Sequence, residues 1–191
     1  MAWLILGLVV FLGVHSVRIL APQWRAHTIE RVGERAWKGF YSFLSIVGFV
    51  LIVWGYGQAR AAGTMLVWIP PVGMRHAAAL LTLLAFVLLV ATYVPRNHIQ
   101  RAVGHPMVIG VALWSIAHLL AVGWLHAMVL FGAFLAWAVA DWLSARQRHS
   151  VAPAAPARAA MTALTVVVGA ITWAAFAFWL HAPLIGVAPI G

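Results

Sequence analysis

Long apolar runs are the feature that most restricts how this chain can fold. Six segments of 17 to 20 residues each contain at most one charged side chain. An α-helix rises about 1.5 Å per residue, so such segments can cross the apolar core of a bilayer, which is about 30 Å thick. A soluble domain of this size has no core that could bury all six. The sequence therefore predicts an all-α, polytopic transmembrane bundle of about six helices, at residues 2–20, 40–58, 76–94, 106–122, 126–143 and 161–180.

The composition agrees with a lipid bilayer as the main partner of the chain. Hydrophobic residues make up 65% of the chain and charged residues 8%, whereas an average soluble domain has about 25% charged residues. The net charge of +9 reflects a shortage of acids, so it does not predict a nucleic-acid-binding protein. The absence of cysteine excludes disulfides, thiolate zinc sites, iron–sulfur clusters and c-type haem attachment.

The distribution of basic residues over the loops predicts the orientation of the chain. Cytoplasmic loops of membrane proteins carry an excess of Lys and Arg. Two of the twelve cations, Arg60 and Arg75, lie on one predicted side, and ten lie on the other. We therefore expect both termini outside and the basic loops in the cytoplasm. The ten cations are Arg18, Arg25, Arg31, Arg35, Lys38, Arg96, Arg101, Arg146, Arg148 and Arg158.

Two connectors differ from the other loops. Residues 21–38 mix charges with Trp24 and Trp37, which is typical of a cytoplasmic amphipathic helix on the inner membrane surface, although an ordinary polar connector would have a similar composition. Residues 145–160 are rich in Ala and Pro, which predicts a loose linker before a peripheral last helix. Because no internal repeat is evident, residues 1–191 are expected to form a single membrane domain. The first apolar run lacks the features of a cleaved signal peptide and is expected to be a membrane helix.

Two histidines lie inside predicted spans, His15 in the first and His118 in the fourth. An ionisable residue in a span is costly and is therefore a candidate functional residue. Neutral imidazole ligates haem iron, and a haem between helices needs small residues for clearance and cations for its propionates. Gly13 and Ser115 are small, and Arg18 lies one turn from His15. The alternative is that each histidine only forms hydrogen bonds across the bundle.

Other metal sites fit these residues less well. Zinc normally needs three or four ligands, and His105 and His118 lie about 20 Å apart along a helix. On straight helices, His15 and His118 themselves differ in depth by roughly 10–15 Å. His105 is therefore kept as a reserve metal ligand that could pair with His15. Trp114 and Trp137 lie deep in their spans and could line a pocket, although packing is the commoner role.

Several short motifs resemble those of the NnrU family. They occur in the order found in that family and extend over almost the whole chain, most strongly over residues 1–140. The motifs are FLGVHSVR at 11–18, GFYSFLS at 39–45, WIPP at 68–71, HPM at 105–107 and LWSIAHLL at 113–120.

This resemblance implies a multi-pass protein of the bacterial inner membrane that is linked with nitrite and nitric-oxide reduction. In that membrane, the outer side predicted for both termini from the charge distribution would be the periplasmic side. It also implies kinship with plant and cyanobacterial 15-cis-zeta-carotene isomerase. That enzyme binds haem b and isomerises a central cis double bond of a polyene. Its proposed haem histidines correspond to His15 and His118. It has a cysteine where this chain has Ser115, so a thiolate ligand is absent here, and the resemblance does not extend to redox-driven ligand exchange.

Three functions remain open on the sequence. The first is a haem-b-binding membrane protein of nitrite and nitric-oxide metabolism, since nitric oxide is small, apolar and soluble in lipid. The second is a haem-dependent cis–trans isomerase that acts on an apolar, carotenoid-like substrate. The third is a cofactor-free scaffold or assembly factor, in which His15 and His118 only join helices.

Overall fold

The computed structural model describes residues 1–147 and 155–189, which are predominantly helical. Apart from one isolated antiparallel bridge between Leu66 and Trp124, strand pairing does not occur in these ranges. The predicted all-α fold is confirmed. The helices are α1 (Ala2–Leu20), α2 (Pro22–Val32), α3 (Glu34–Ala61), α4 (Val72–Tyr93), α5 (His98–Val103), α6 (Pro106–Ala121), α7 (Leu125–Gln147), α8 (Ala159–Ala175), a π-helical turn (Phe176–Leu180) and α9 (His181–Ile185).

Within the described ranges, five helical segments are long and apolar enough to cross a membrane. They are α1, α3, α4, α7 and the continuous segment Ala159–Ile185. The remaining predicted span, α6, is also apolar but has only 16 residues, or about 24 Å of helix. It ends because the chain becomes extended at Val122. Gly123 and Leu125 then form backbone hydrogen bonds with the loop at residues 65–68 instead of continuing the helix.

The connector between the first two spans is largely helical. Residues 22–32 form α2, which has no buried residue. Gly33 separates α2 from α3 with φ +84°, a backbone conformation that glycine adopts without steric cost. α3 begins at Glu34, six residues earlier than predicted, so the last part of the predicted connector belongs to the spanning helix. The position of α2 on the membrane surface stays a prediction.

Glycines bring α1 and α3 into close backbone contact. A Cβ atom at Gly7 would lie 2.5 Å from the amide nitrogen of Ile52, and one at Gly48 would lie 2.7 Å from that of Phe11. Only residues without a side chain permit such an approach, because a real Cβ would overlap the facing backbone. The tight pairing of α1 with α3 fixes the helix that carries His15.

The six long helices pack in the order α3, α1, α7, α6, α4 and α8. Gly110 on α6 and Gly169 on α8 both approach α4 closely. α7 therefore lies between α1 and α6, the helices that carry His15 and His118. Residues 148–154 of the predicted Ala/Pro-rich linker lie outside the described residues.

The two ends of the described chain lie at the same end of the bundle. Near the end of α3, Gly55 packs against the backbone of Leu4 on α1. The side chain of Arg60, in the last turn of α3, donates hydrogen bonds to the carbonyls of Ile185 (2.5 Å) and Gly186 (3.4 Å). An even number of crossings produces this arrangement, whereas the side of the membrane on which the ends lie stays a prediction.

Candidate functional site

His15 lies among aromatic rings at the junction of α1, α3 and α7. Its Nδ1 is 2.7 Å from the carbonyl oxygen of Phe11, one turn earlier on α1. Its ring stacks on that of Phe11, with centroids 4.2 Å apart. Tyr41 on α3 and Trp137 on α7 complete the surroundings, with ring centroids 5.2 Å and 6.1 Å away. The imidazole is therefore held in one orientation by its own helix and by rings from two others.

His118 has the same local arrangement on α6. Its Nδ1 is 2.8 Å from the carbonyl oxygen of Trp114, again one turn earlier. Its ring stacks on Phe131 of α7, with centroids 4.3 Å apart and an interplanar angle of 20°. The ring of Trp114 lies 5.1 Å away. Both intramembrane histidines thus follow an aromatic residue by four positions and bond to its carbonyl.

The local hydrogen bonds decide which ring nitrogen remains available. A carbonyl oxygen can only accept, so Nδ1 carries the proton in both rings. In a neutral imidazole the Nε2 atom then has a free lone pair. Within the described residues, no hydrogen bond reaches Nε2 of His15 or His118 from another helix. Histidines that ligate metals usually donate their other ring N–H to a carbonyl or carboxylate, so the donor chemistry of both residues fits an axial haem ligand.

Aromatic residues on α7 form a wall that both histidines contact. Phe131, Phe134 and Trp137 recur every three residues on this helix. His118 contacts Phe131 at one end of the wall, and His15 contacts Trp137 at the other. The six residues between those contacts correspond to about 9 Å along the helix, which is similar to the depth offset expected from the sequence.

Phe134 lies at the level between the two histidines. Its ring is 5.8 Å from that of Phe11 and 5.6 Å from that of Trp114. An unbroken series of ring contacts therefore runs from His15 to His118. The structure brings both histidines to one aromatic wall but does not bring the two imidazoles into contact.

The other predicted site residues fall into two groups. Gly13 and Arg18 lie with His15 on α1, where both are exposed. A Cβ at Gly13 would meet nothing within 4 Å, so clearance exists beside this residue. Ser115 lies with His118 on α6, where it is fully buried and its Oγ has no hydrogen-bond partner.

His105 lies at the opposite end of α6 from His118. It precedes the first turn of α6, about 20 Å along the helix from His118. In the part of the chain that the structure describes, no three residues of the types His, Cys, Asp or Glu are grouped as a multidentate metal site would require. This finding leaves ligation by one or two histidines untested, and His105 stays a reserve candidate.

An open apolar groove runs beside Gly13 between α1 and α3. Its volume is about 380 Å³, and its walls include Val10, Val14, Trp37 and Tyr41. Tyr41 is shared between the groove and the surroundings of His15. An apolar molecule in the bilayer could therefore approach within one side chain of His15.

His126, at the start of α7, is only 4% exposed. Its Nδ1 lies 2.5 Å from the Oγ1 of Thr64, which belongs to the loop after α3. The ring of Tyr56 is 4.8 Å away. The burial arises because the 64–68 loop folds over the start of α7. No local signal predicts it, since the residues in contact are 62 positions apart.

The fold and these buried residues define a multi-pass helical membrane protein with two histidines held inside the bundle. The chain matches the family described as NnrU protein over residues 3–189, and it belongs to this family. The resemblance recognised from the short motifs is thereby confirmed. No curated protein matches the chain, and no solved structure matches it.

Proposed function

We propose that this NnrU-family protein binds haem b within the bacterial inner membrane and acts in nitrite and nitric-oxide metabolism. His15 and His118 are the proposed axial ligands. The observation that carries the proposal is that the two imidazole rings have the same hydrogen-bonding arrangement. Each donates from Nδ1 to a carbonyl of its own helix, and its Nε2 has no hydrogen bond to a described residue.

The same observation gives less support to a cofactor-free scaffold. A histidine that served to join helices would form hydrogen bonds to another helix, as polar residues in spans commonly do. His15 and His118 instead satisfy one nitrogen locally and leave the other without a bond to any described residue.

Haem bound to imidazole supplies an iron that binds small diatomic gases when one axial position is open. The rings of Phe11, Phe134 and Trp114 occupy the level between the two histidines, which favours separate ligation by His15 and His118 over one shared iron. The aromatic wall gives both imidazoles an apolar neighbour, and the exposed Arg18 is one turn from His15, where it could pair with a propionate.

An absorption spectrum of the purified, haem-supplied protein tests the proposal. We expect a Soret band that His15→Ala and His118→Ala each reduce, and that the exposed control His27→Ala leaves unchanged. Separate sites would leave about half of the band in each single variant, whereas a shared iron would lose its six-coordinate spectrum in either. A folded protein that stays colourless would disprove haem binding.

The apolar groove beside Gly13 favours a second candidate, a haem-dependent cis–trans isomerase of carotenoid-like polyenes. Its walls are apolar, and through Tyr41 it reaches the surroundings of His15. Co-expression in a carotenoid-producing host, with chromatography of the polyene isomers, distinguishes the candidates. A changed isomer ratio that is lost in His15→Ala would support the isomerase, and an unchanged ratio with haem present would favour the nitrogen-oxide role.

A further inference from the structure

A basic cleft lies at the end of the bundle opposite the chain termini, where α4 ends and α8 begins. Its volume is about 310 Å³, and its walls are formed by Pro95, Arg96, Asn97, Gln100, Arg101, Ala155 and Ala157. The cleft is separate from both histidines. In the described ranges α1, which carries His15, contacts neither α4 nor α8, and His118 lies near the end of α6, whereas the cleft lies beside α5, before α6 begins.

The corner that carries Arg96 is fixed by the buried side chain of Asn97. Its Oδ1 accepts a hydrogen bond from the amide of Gln100, and its Nδ2 donates to the carbonyls of Ala91 (2.9 Å) and Val94 (2.5 Å). Asn97 is 1% exposed. The side chain of Asn97 thus has its hydrogen-bond partners within the protein and links the end of α4 to the start of α5.

The far wall of the cleft is bonded to the same corner. The amide of Arg158 donates to the carbonyl of Arg96 at 2.8 Å, and the Nε of Arg96 donates to the carbonyl of Pro156 at 3.4 Å. The amide of His98 donates to the Oγ1 of Thr162 at 2.9 Å. Two chain segments about 60 residues apart are thus held together to form one cleft.

Arg96 adopts an unusual backbone conformation at this place. Its φ is +62°, and it is the sole non-glycine residue with positive φ in the described ranges. Non-glycine residues in this region are strained and persist where the surrounding structure holds them, often at binding sites. The bonds from Arg158 and Asn97 provide that constraint.

The guanidinium groups in the cleft have no described carboxylate partner. The ion pairs in the described part of the chain are His27 with Glu30 and Lys38 with Glu34, both on the α2–α3 connector. Neither Arg96 nor Arg101 forms such a pair. Two arginines that line one cleft without an ion pair to a described carboxylate form a site for an anion, and the planar guanidinium fork matches phosphate oxygens.

We propose that this cleft binds a phosphate group. It lies between the last residues of α4 and the first of Ala159–Ile185, both membrane-spanning by length and composition. Lipid phosphates occupy that depth of a bilayer, so the headgroup of an anionic phospholipid is the favoured source. Free phosphate could make the same contacts, and the experiment distinguishes it from the lipid headgroup. The proposal does not depend on haem.

The experiment uses the full chain in an uncharged, phosphate-free detergent and follows the unfolding midpoint. Phosphatidylglycerol is titrated into the protein, and diacylglycerol with the same acyl chains is the control that lacks the phosphate. Inorganic phosphate is titrated separately, with chloride at equal ionic strength as its control. The variants are Arg101→Gln and Arg101→Lys. The control is Arg75→Gln, which also removes one positive charge but lies at the other end of α4. Arg101 is exposed, so its substitution is expected to leave folding intact.

We expect phosphatidylglycerol, but not diacylglycerol, to raise the midpoint of the wild type and of Arg75→Gln. Arg101→Gln should need about tenfold more lipid for the same shift, the equivalent of losing one charge-assisted hydrogen bond. Arg101→Lys should lie between them, because it keeps the charge without the fork. A response to inorganic phosphate as well would identify free phosphate as a ligand. Equal responses in Arg101→Gln and Arg75→Gln, or no response to either ligand, would overturn the proposal.

Discussion

At the scale of single residues, the most demanding positions are those where two backbones meet. Gly55 on α3 faces the amide nitrogen of Leu4, and a Cβ built there would overlap it. Gly57, two residues later, would meet nothing within 4 Å. The two glycines belong to the same helix and the same apolar run, yet only one of them is needed for packing.

Gly55→Ala is therefore expected to destabilise the protein by about 1 to 3 kcal/mol, because the facing backbone of α1 would have to move. Gly57→Ala is the matched control and should be neutral or slightly stabilising, since alanine is favoured over glycine in a helix. Thermal unfolding of both variants in the same detergent measures the difference. Equal midpoints would show that α1 and α3 are not packed as closely as described.

At the scale of elements, the short helix α5 depends on one side chain at its start. Asn97 caps the helix through Oδ1 and ties it to the end of α4 through Nδ2. A helix of six residues is too short to be stable without such bonds. The corresponding residues lie between two predicted spans and were not predicted as helix, since a segment of six residues is too short to show a helical period.

Asn97→Ala should cost about 2 to 3 kcal/mol, since it removes a cap and leaves buried carbonyls without a donor. Asn97→Ser keeps an oxygen that can cap the helix and should cost about 1 kcal/mol. Amide hydrogen exchange in α5, together with the unfolding midpoint, measures both effects. If exchange in α5 is unchanged in Asn97→Ala, the cap does not hold this helix.

At the scale of the whole molecule, the chain folds back so that its described ends meet beside the end of α3. Nine of the ten cations assigned to the predicted cytoplasmic side lie in the described part of the chain, in the helix ends and connectors at the opposite end of the bundle. The positive-inside rule predicts the orientation of a membrane protein from such an uneven distribution of basic residues.

Reporter fusions test the orientation directly. A fusion of alkaline phosphatase to the C-terminus of the full chain is expected to be active, and a fusion of green fluorescent protein there should be dark. Fusions made in the α5 region should give the reverse pattern. Active phosphatase in the α5 region and fluorescence at the C-terminus would place both ends in the cytoplasm instead.

The helical class, five of the six predicted spans and the family followed from local properties of the sequence. A span is recognised because about 20 consecutive residues must each tolerate lipid, and α1 (Ala2–Leu20) matches its predicted bounds. The Nδ1 bonds of His15 and His118 are also local, since each joins residues four positions apart on one helix.

The environment of those residues depends instead on contacts between distant segments. Phe134 lies between the two histidines, Thr64 buries His126, and Arg158 closes the cleft at Arg96. Apolarity alone does not specify which face of α7 meets α1 or α6, because lipid and protein interior are equally apolar. Which faces meet is determined by close backbone contacts at glycines and by hydrogen bonds between loop residues some 60 positions apart. These contacts exist only in the packed structure.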